Sequence, residues 1–195
     1  MQLKNKSKQI FLGIGLMIVL LAGLAFWSLG RDGVYGRAEF SIAQVSSFGP
    51  IISASWADSV LTVKNVKGEA RSLKKITRVQ TTIPQAIQVV RGNIYVVREY
   101  RGMNVSQEIV RVAPDGSASV VYGGSVTSYR VSPDENLVGV VAEDTILRFN
   151  RRTNATTDLL SAPITSARQA VWIENRIVEY PDTSAPGGKK QVTLW

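Results

Sequence analysis

The chain has 195 residues, with 23 Lys+Arg, 15 Asp+Glu, no His and no Cys. Those absences exclude a thiol nucleophile, a disulfide, a metal held by Cys or His, and a triad built on His. The length allows one domain plus accessory segments.

Residues 10–30 read IFLGIGLMIVLLAGLAFWSLG, a run of 21 without a charge. At about 1.5 Å per residue such a helix spans about 31 Å, the thickness of a hydrocarbon core. Lys4, Lys6 and Lys8 precede it with no acid, while Arg31 and Asp32 behind it cancel. This bias predicts residues 1–9 as a basic cytoplasmic tail and residues 10–30 as a transmembrane signal-anchor. Phe26 and Trp27 fall near the outer interface, where aromatic rings favour the headgroup level. The competing reading is a cleaved secretory signal with Gly23-Leu24-Ala25 as its small-x-small site. The apolar run continues past that site through Leu29, which favours the anchor. The rest of the chain is therefore expected outside the plasma (inner) membrane, tethered by a single pass.

Residues 31–49 read as a linker with a lone strand over Glu39–Val45. Residues 31–195 hold 23 Val, 12 Ile and 12 Thr against 7 Leu. Branched β-carbons favour strands, and no long stretch beyond the anchor carries a 3.6 period, so an all-β exterior is expected. Residues 50–195 can bury a core without disulfide staples. A Cys-free exported domain suggests a bacterial source.

The first paired unit is Ile51–Trp56 with Ser59–Asn65, followed by a strand over Glu69–Ile76. Across it lies a cationic stretch: Lys64, Lys67, Arg71, Lys74, Lys75 and Arg78 against Glu69 alone, a local +5. Two readings stand side by side. It is a patch for an anionic partner such as lipid headgroups, a wall polymer or an acidic protein, or an edge strand guarded by Lys against aggregation. Nucleic acid is not expected, because the domain lies outside the cytoplasm and no aromatics interleave the patch. Ser72-Leu73-Lys74-Lys75 formally matches S-x-x-K but lacks companion motifs.

The second unit is Ala86–Arg91 with Asn93–Tyr100, then Gln107–Ala113 and Ser117–Tyr122 around a Pro114-Asp115-Gly116 turn. The third is Thr127–Ser132 with Asn136–Ala142, and the fourth is Gln169–Ile173 with Arg176–Tyr180. Taking Trp56, Val90, Ser132 and Ile173 as ends of first strands gives spacings of 34, 42 and 41 residues. Four antiparallel strands in roughly 40 residues is the size of a propeller blade. A β-sandwich is the all-β alternative.

In the third unit, Val131-Ser132-Pro133-Asp134 leads into apolar Leu137–Val141, and Asp144-Thr145-Ile146 opens the next strand. Pro133 presets a turn and Asp134 can bond its own backbone. Residues 126–150 resemble a WD40-like blade of the TolB and dipeptidyl-peptidase propeller type. That resemblance implies a β-propeller-like meander of about four blade-like units. The Gly usual after Ser-Pro-Asp in such blades is replaced here by Glu135 and Asn136.

The residue count leaves ring closure open. The lone early strand could pair with Lys189–Trp195, or the blades could form part of a larger propeller. Ser184–Lys190 reads as a hairpin loop, and Trp56, Trp172 and Trp195 as blade-packing residues. Asp134-Glu135 and Glu143-Asp144 read as solvated turn acids rather than a cation site. No catalytic, cofactor or metal residue is assigned. The expectation is a membrane-anchored binding or scaffold domain with a protein or cell-envelope partner. The alternatives are a structural subunit of an envelope assembly, or the propeller part of a larger peptidase-like enzyme.

Overall fold

The computed structural model describes residues 38–100, 107–160, 163–164 and 169–195. Residues 10–30, with Lys4, Lys6, Lys8, Phe26 and Trp27, lie outside the described residues. No helix among the described residues is long and apolar enough to cross a membrane.

Ser41 starts a short helix, α1 (Ile42–Phe48). The Ser41 hydroxyl accepts the Gln44 amide at 3.3 Å and the Gln44 side chain accepts the Ser41 amide at 2.7 Å. This reciprocal box satisfies two donors that a helix start otherwise leaves unpaired. The expected lone strand over Glu39–Val45 is thus corrected to an extended entry and a capped helix. Of the two closure options, pairing of this segment with the C-terminal strand is not seen among the described residues.

Among the described residues fourteen strands follow: β1 (Ile51–Ala57), β2 (Val60–Asn65), β3 (Ala70–Lys75), β4 (Ile87–Val90), β5 (Asn93–Glu99), β6 (Gln107–Val112), β7 (Ala118–Gly123), β8 (Ser128–Val131), β9 (Leu137–Val141), β10 (Ile146–Asn150), β11 (Ala155–Asp158), β12 (Val171–Glu174), β13 (Ile177–Pro181) and β14 (Lys189–Thr193). They form four antiparallel sheets in chain order, with three, four, four and three strands. The fold is all-β and β-propeller-like, and the expected hairpins are present. β11, polar and wholly exposed, carries no apolar alternation and escaped the sequence reading.

The two middle sheets, β4-β5-β6-β7 and β8-β9-β10-β11, are complete blades. In each, the first strand runs to one end of the sheet, called here the lip. The Arg91-Gly92 turn and the Ser132–Asn136 turn lie at that end. Sheet 1 is out of phase with them. Arg71 Nη2 reaches the Pro114 carbonyl at 3.2 Å, which puts the β2–β3 turn at the lip. Ile76 N bonds Ser59 O, and Val79 bridges Arg98 at the far end of β5, which puts the β1–β2 turn opposite the lip. β1 therefore runs away from the lip, as β5 and β9 do. Among the described residues no strand precedes β1 in sheet 1.

This phase removes the irregular first spacing. The second strands begin at Ile51, Asn93, Leu137 and Ile177, which are 42, 44 and 40 residues apart. Sheet 4 ends instead with its third strand. β14 pairs with β13 from Ile177↔Thr193 to Pro181↔Lys189.

Three apolar clusters fill the three interfaces between successive sheets. Leu61, Val63 and Leu73 meet Ile94, Val96 and Val110 between sheets 1 and 2. Tyr95, Val97 and Ile109 meet Tyr129, Val138 and Val140 between sheets 2 and 3. Val141 and Ile146 meet Val178, Leu194, Trp172 and Trp195 between sheets 3 and 4. All three tryptophans singled out in the sequence sit in these interfaces, Trp56 in the first. Among the described residues no cluster joins sheet 4 to sheet 1, and Val171 and Ile173 stay exposed on the outer face of sheet 4.

Candidate functional site

The six cations of residues 64–78 do not form one surface. Arg71 lies between two rings, its guanidinium carbon 4.1 Å from the Phe40 centroid and 4.3 Å from Phe48. It also donates to Gln44 O and Pro114 O. Lys74 is buried and pairs with Glu39 at 3.2 Å. Both therefore anchor the N-terminal helix on sheets 1 and 2. Lys64 and Lys67 remain exposed near the lip end of sheet 1, and Lys75 and Arg78 remain exposed at the other end. Ser72 and Lys75 are both exposed on the edge strand β3.

A different cationic feature lies on the inner side of the sheets. A cleft of about 480 Å³ runs between the first strands of sheets 2 and 3, and its lining includes Gln85, Gln88, Arg91, Arg130, Pro133 and Asn175. Among the described residues no carboxylate lines it. All four residues of β4 are half-buried, as an inner strand facing a groove should be.

The walls are fixed by hydrogen bonds between blades. Gln88 Nε2 donates to Tyr129 O at 2.9 Å, and the buried Tyr129 hydroxyl donates to Tyr95 O at 2.9 Å. Arg130 Nη1 donates to Tyr129 O at 3.1 Å, while its guanidinium carbon sits 5.3 Å from the Trp172 ring centroid. Trp172 itself donates to Ser128 Oγ at 2.9 Å. Burial lowers the Arg130 pKa, with the nearby Tyr129 opposing that shift. A partly desolvated guanidinium gains from a facing anion, since water no longer satisfies its charge.

Two residues lining the cleft hold backbone conformations that favour glycine, Arg91 at the lip and Gln85 ahead of β4 at its other end. Arg91 has φ +51° and Gln85 has φ +55°. A left-handed residue with a Cβ costs roughly 1–2 kcal/mol. Asn at Arg91, before Gly92, would suit this turn with less strain. The chain instead places a cation there, exposed at the rim. A strained non-Gly residue at the rim of a cleft makes that cleft a functional candidate.

Beneath the lip a polar network ties sheet 2 to sheet 3. Glu135, directly after Ser132-Pro133-Asp134, has φ +61°. Its carboxylate accepts Asn93 Nδ2 at 2.9 and 3.1 Å and the Tyr95 hydroxyl at 2.9 Å. Arg151 Nη1 donates to the Glu135 carbonyl at 2.7 Å and to the Tyr95 oxygen at 3.0 Å. Burial first, then the bond to Glu135, raises the Tyr95 pKa, so the phenol stays protonated and donates. Asn93 Oδ1 has no partner among the described residues. Asp134 is saturated locally by Ser132 Oγ at 2.6 Å and by both Asn136 nitrogens. Among the described residues no three potential ligating side chains gather as a metal site.

Sequence reasoning missed Arg91, Arg130, Gln88 and Asn175. They are far apart in the chain and converge only because three first strands end at one lip. Their one local signal was an Arg-Gly turn between two apolar strands.

No protein-family model and no curated protein matches the chain. Among solved structures it is similar to TolB from Acinetobacter baumannii, with a TM-score of 0.46 and 10% identity over 75% of this chain and 41% of that one. It is also similar to a chain in the S. cerevisiae complex of Dbp5 bound to Nup159, Gle1, IP6 and ADP, with a TM-score of 0.39 and 10% identity over 70% of this chain and 41% of that one. The chain thus spans less than half the length of either match.

Proposed function

We propose that this chain is a membrane-tethered, extracytoplasmic binding head, and that its inner cleft holds an anionic group of a protein or cell-envelope partner. The tether is residues 10–30, whose uncharged length and preceding lysines favour a signal-anchor with the head outside. The observation that carries the binding reading is the cleft itself: Arg91 and Arg130 converge with Gln85, Gln88 and Asn175, and no acid lines the wall. Amide side chains fix orientation while the guanidinium groups supply bidentate donors, a donor set suited to carboxylate or phosphate. The dispersed cations of residues 64–78 give this reading less support, because two of the six are consumed in structural contacts.

The test uses full-length protein in nanodiscs of neutral lipid, titrated with fluorescent hexaglutamate. The expected result is saturable binding, weakened about tenfold or more by Arg91→Asn and left unchanged by Lys64→Ser with Lys67→Ser. Equal binding to Arg91→Asn contradicts the cleft as the site. Exposure of the C-terminal head to protease only after cytoplasmic-side opening of vesicles contradicts the topology.

A further inference from the structure

We propose that Glu135 is a positioning residue for the inner cleft: its carboxylate fixes Arg91 and Arg130 relative to each other, although it does not itself line the cleft. This rests on the reading of the cleft as an anion site and adds the device that sets its geometry.

One branch runs to Arg91. Arg91 and Gly92 form a two-residue turn with φ +51° and +80°, and Val90 pairs with Asn93 across it. Positive φ at both central residues is the tight hairpin geometry, which leaves the turn little freedom of its own. Where Asn93 is held, Arg91 is therefore held too. Asn93 is buried, and its Nδ2 donates to both Glu135 carboxylate oxygens at 2.9 and 3.1 Å. Its Oδ1 has no partner. Among the described residues, Glu135 alone orients the Asn93 side chain.

The other branch runs to Arg130. The Tyr95 hydroxyl donates to Glu135 Oε1 at 2.9 Å, and the Tyr95 carbonyl accepts the Tyr129 hydroxyl at 2.9 Å. The Tyr129 carbonyl in turn accepts Gln88 Nε2 at 2.9 Å and Arg130 Nη1 at 3.1 Å. Both tyrosines are fully buried. A satisfied polar network in a low dielectric is stiff, so displacement at one end is felt at the other. Both arginines of the cleft thus refer back to one carboxylate.

Glu135 is itself fixed. Its amide donates to Ser132 O at 2.8 Å, and Arg151 Nη1 donates to its carbonyl at 2.7 Å. Pro133 of the same turn forms part of the cleft wall. The backbone at Glu135 is left-handed, a conformation that Gly takes without strain but without a carboxylate to offer. Strain and grip therefore coincide in one residue.

Charge alone makes the opposite prediction. A carboxylate near a cationic cleft repels an anion, so its removal should tighten anion binding. Positioning requires that its removal weaken binding. The sign of the change separates the two.

The experiment titrates full-length protein in neutral nanodiscs with fluorescent hexaglutamate and reads amide exchange of the same samples. Glu135→Gly is expected to bind at least fivefold more weakly, with exchange at Gly92 and Asn93 at least tenfold faster and exchange in β9 and β10 unchanged. Glu135→Gln keeps the Oε1 acceptor and sheds the charge, so it is expected to restore affinity to the wild-type value or better. Asn93→Ala cuts only the Arg91 branch and keeps the carboxylate; it is expected to weaken binding at least threefold, which tests the grip should Glu135→Gly fail to fold. Equal or tighter binding by Glu135→Gly, equal weakening by Gly and Gln, or wild-type affinity in Asn93→Ala overturns the proposal. Arg91→Asn in the same titration separates the two levels. If Arg91→Asn weakens binding and Glu135→Gly does not, the positioning role alone falls; if Arg91→Asn binds as wild type does, the cleft reading falls and the positioning role with it.

Discussion

Sheets 2 and 3 differ from sheets 1 and 4 in completeness, and the difference organises the molecule. The middle pair have four strands each, and β5 and β9 are buried almost throughout. The outer pair have three strands each, and β12 and β14 are largely exposed. A complete blade covers both faces of its inner strands with neighbours, so burial follows from position rather than from residue type. Burial, and with it stability, therefore concentrates in the middle of the chain.

This comparison can be broken most severely within sheet 2. Arg98 and Glu108 face each other across β5 and β6, at 3.0 Å, with side chains 3% and 8% exposed. Removing one member leaves an uncompensated buried charge, so Glu108→Ala should cost about 3–5 kcal/mol. Urea unfolding measures it; a loss below 1 kcal/mol would show that sheet 2 is no more critical than the outer sheets.

The boundary between complete and incomplete blades is sharpest at Gly139. A Cβ there would lie 2.3 Å from Leu194 Cδ2 and 3.0 Å from Trp172 Cη2. Those side chains come from sheet 4 and its C-terminal extension and close on β9. Gly139→Ala should cost about 1–3 kcal/mol by overpacking, with faster amide exchange in β12–β14 before β5–β6. Uniform loss across all sheets would argue against a separately yielding sheet 4.

Sheet 1 offers a milder test. Arg71→Ala removes two cation–π contacts and two hydrogen bonds to carbonyls. The expected cost is about 1–2 kcal/mol, with exchange rising in residues 42–48 first. Unchanged helix protection would show that the Ser41 box alone holds α1.

Two smaller effects concern the turns. Hydrogen bonds from Ser132 and Asn136 pull the Asp134 pKa from 3.8 down to about 2. The folded value lies below the unfolded one, so its contribution is fully present above about pH 4 and disappears as pH falls through 2. Asp134→Asn should flatten the acid side of the Tm profile in that window; an unaltered profile would remove Asp134 from the acid response. At the lip, Arg91→Asn relieves left-handed strain and should raise stability by about 0.5–1 kcal/mol. A stabilised variant that binds hexaglutamate less well is the pattern expected of strain kept for function, and a destabilised one is not.

Much of the fold was legible because strand patterning is local. Alternation such as Asn93–Glu99 and turns such as Pro114-Asp115-Gly116 state their structure in a few residues. The Glu39–Val45 segment misled because its apolar alternation also fits a strand, while Ser41-x-x-Gln44 carried the capping signal. The blade phase was hidden because β1 and β2 look like any hairpin; only the short spacing of 34 residues betrayed it. Lys74 and Arg71 read as surface charge because their partners, Glu39 and the Phe40–Phe48 pair, lie about thirty residues away. The cleft was illegible for a related reason: Arg91, Arg130 and Asn175 meet only after three blades have stacked.

The most direct test of the head as an anion-binding platform is a map of amide exchange across the full-length protein in neutral nanodiscs, with and without hexaglutamate. Slowed exchange confined to Gln88–Arg91, Arg130–Val131 and the Asn175 turn is the predicted result. Protection centred on Lys64–Lys67 or Lys75–Arg78, with the cleft strands unchanged, would contradict it.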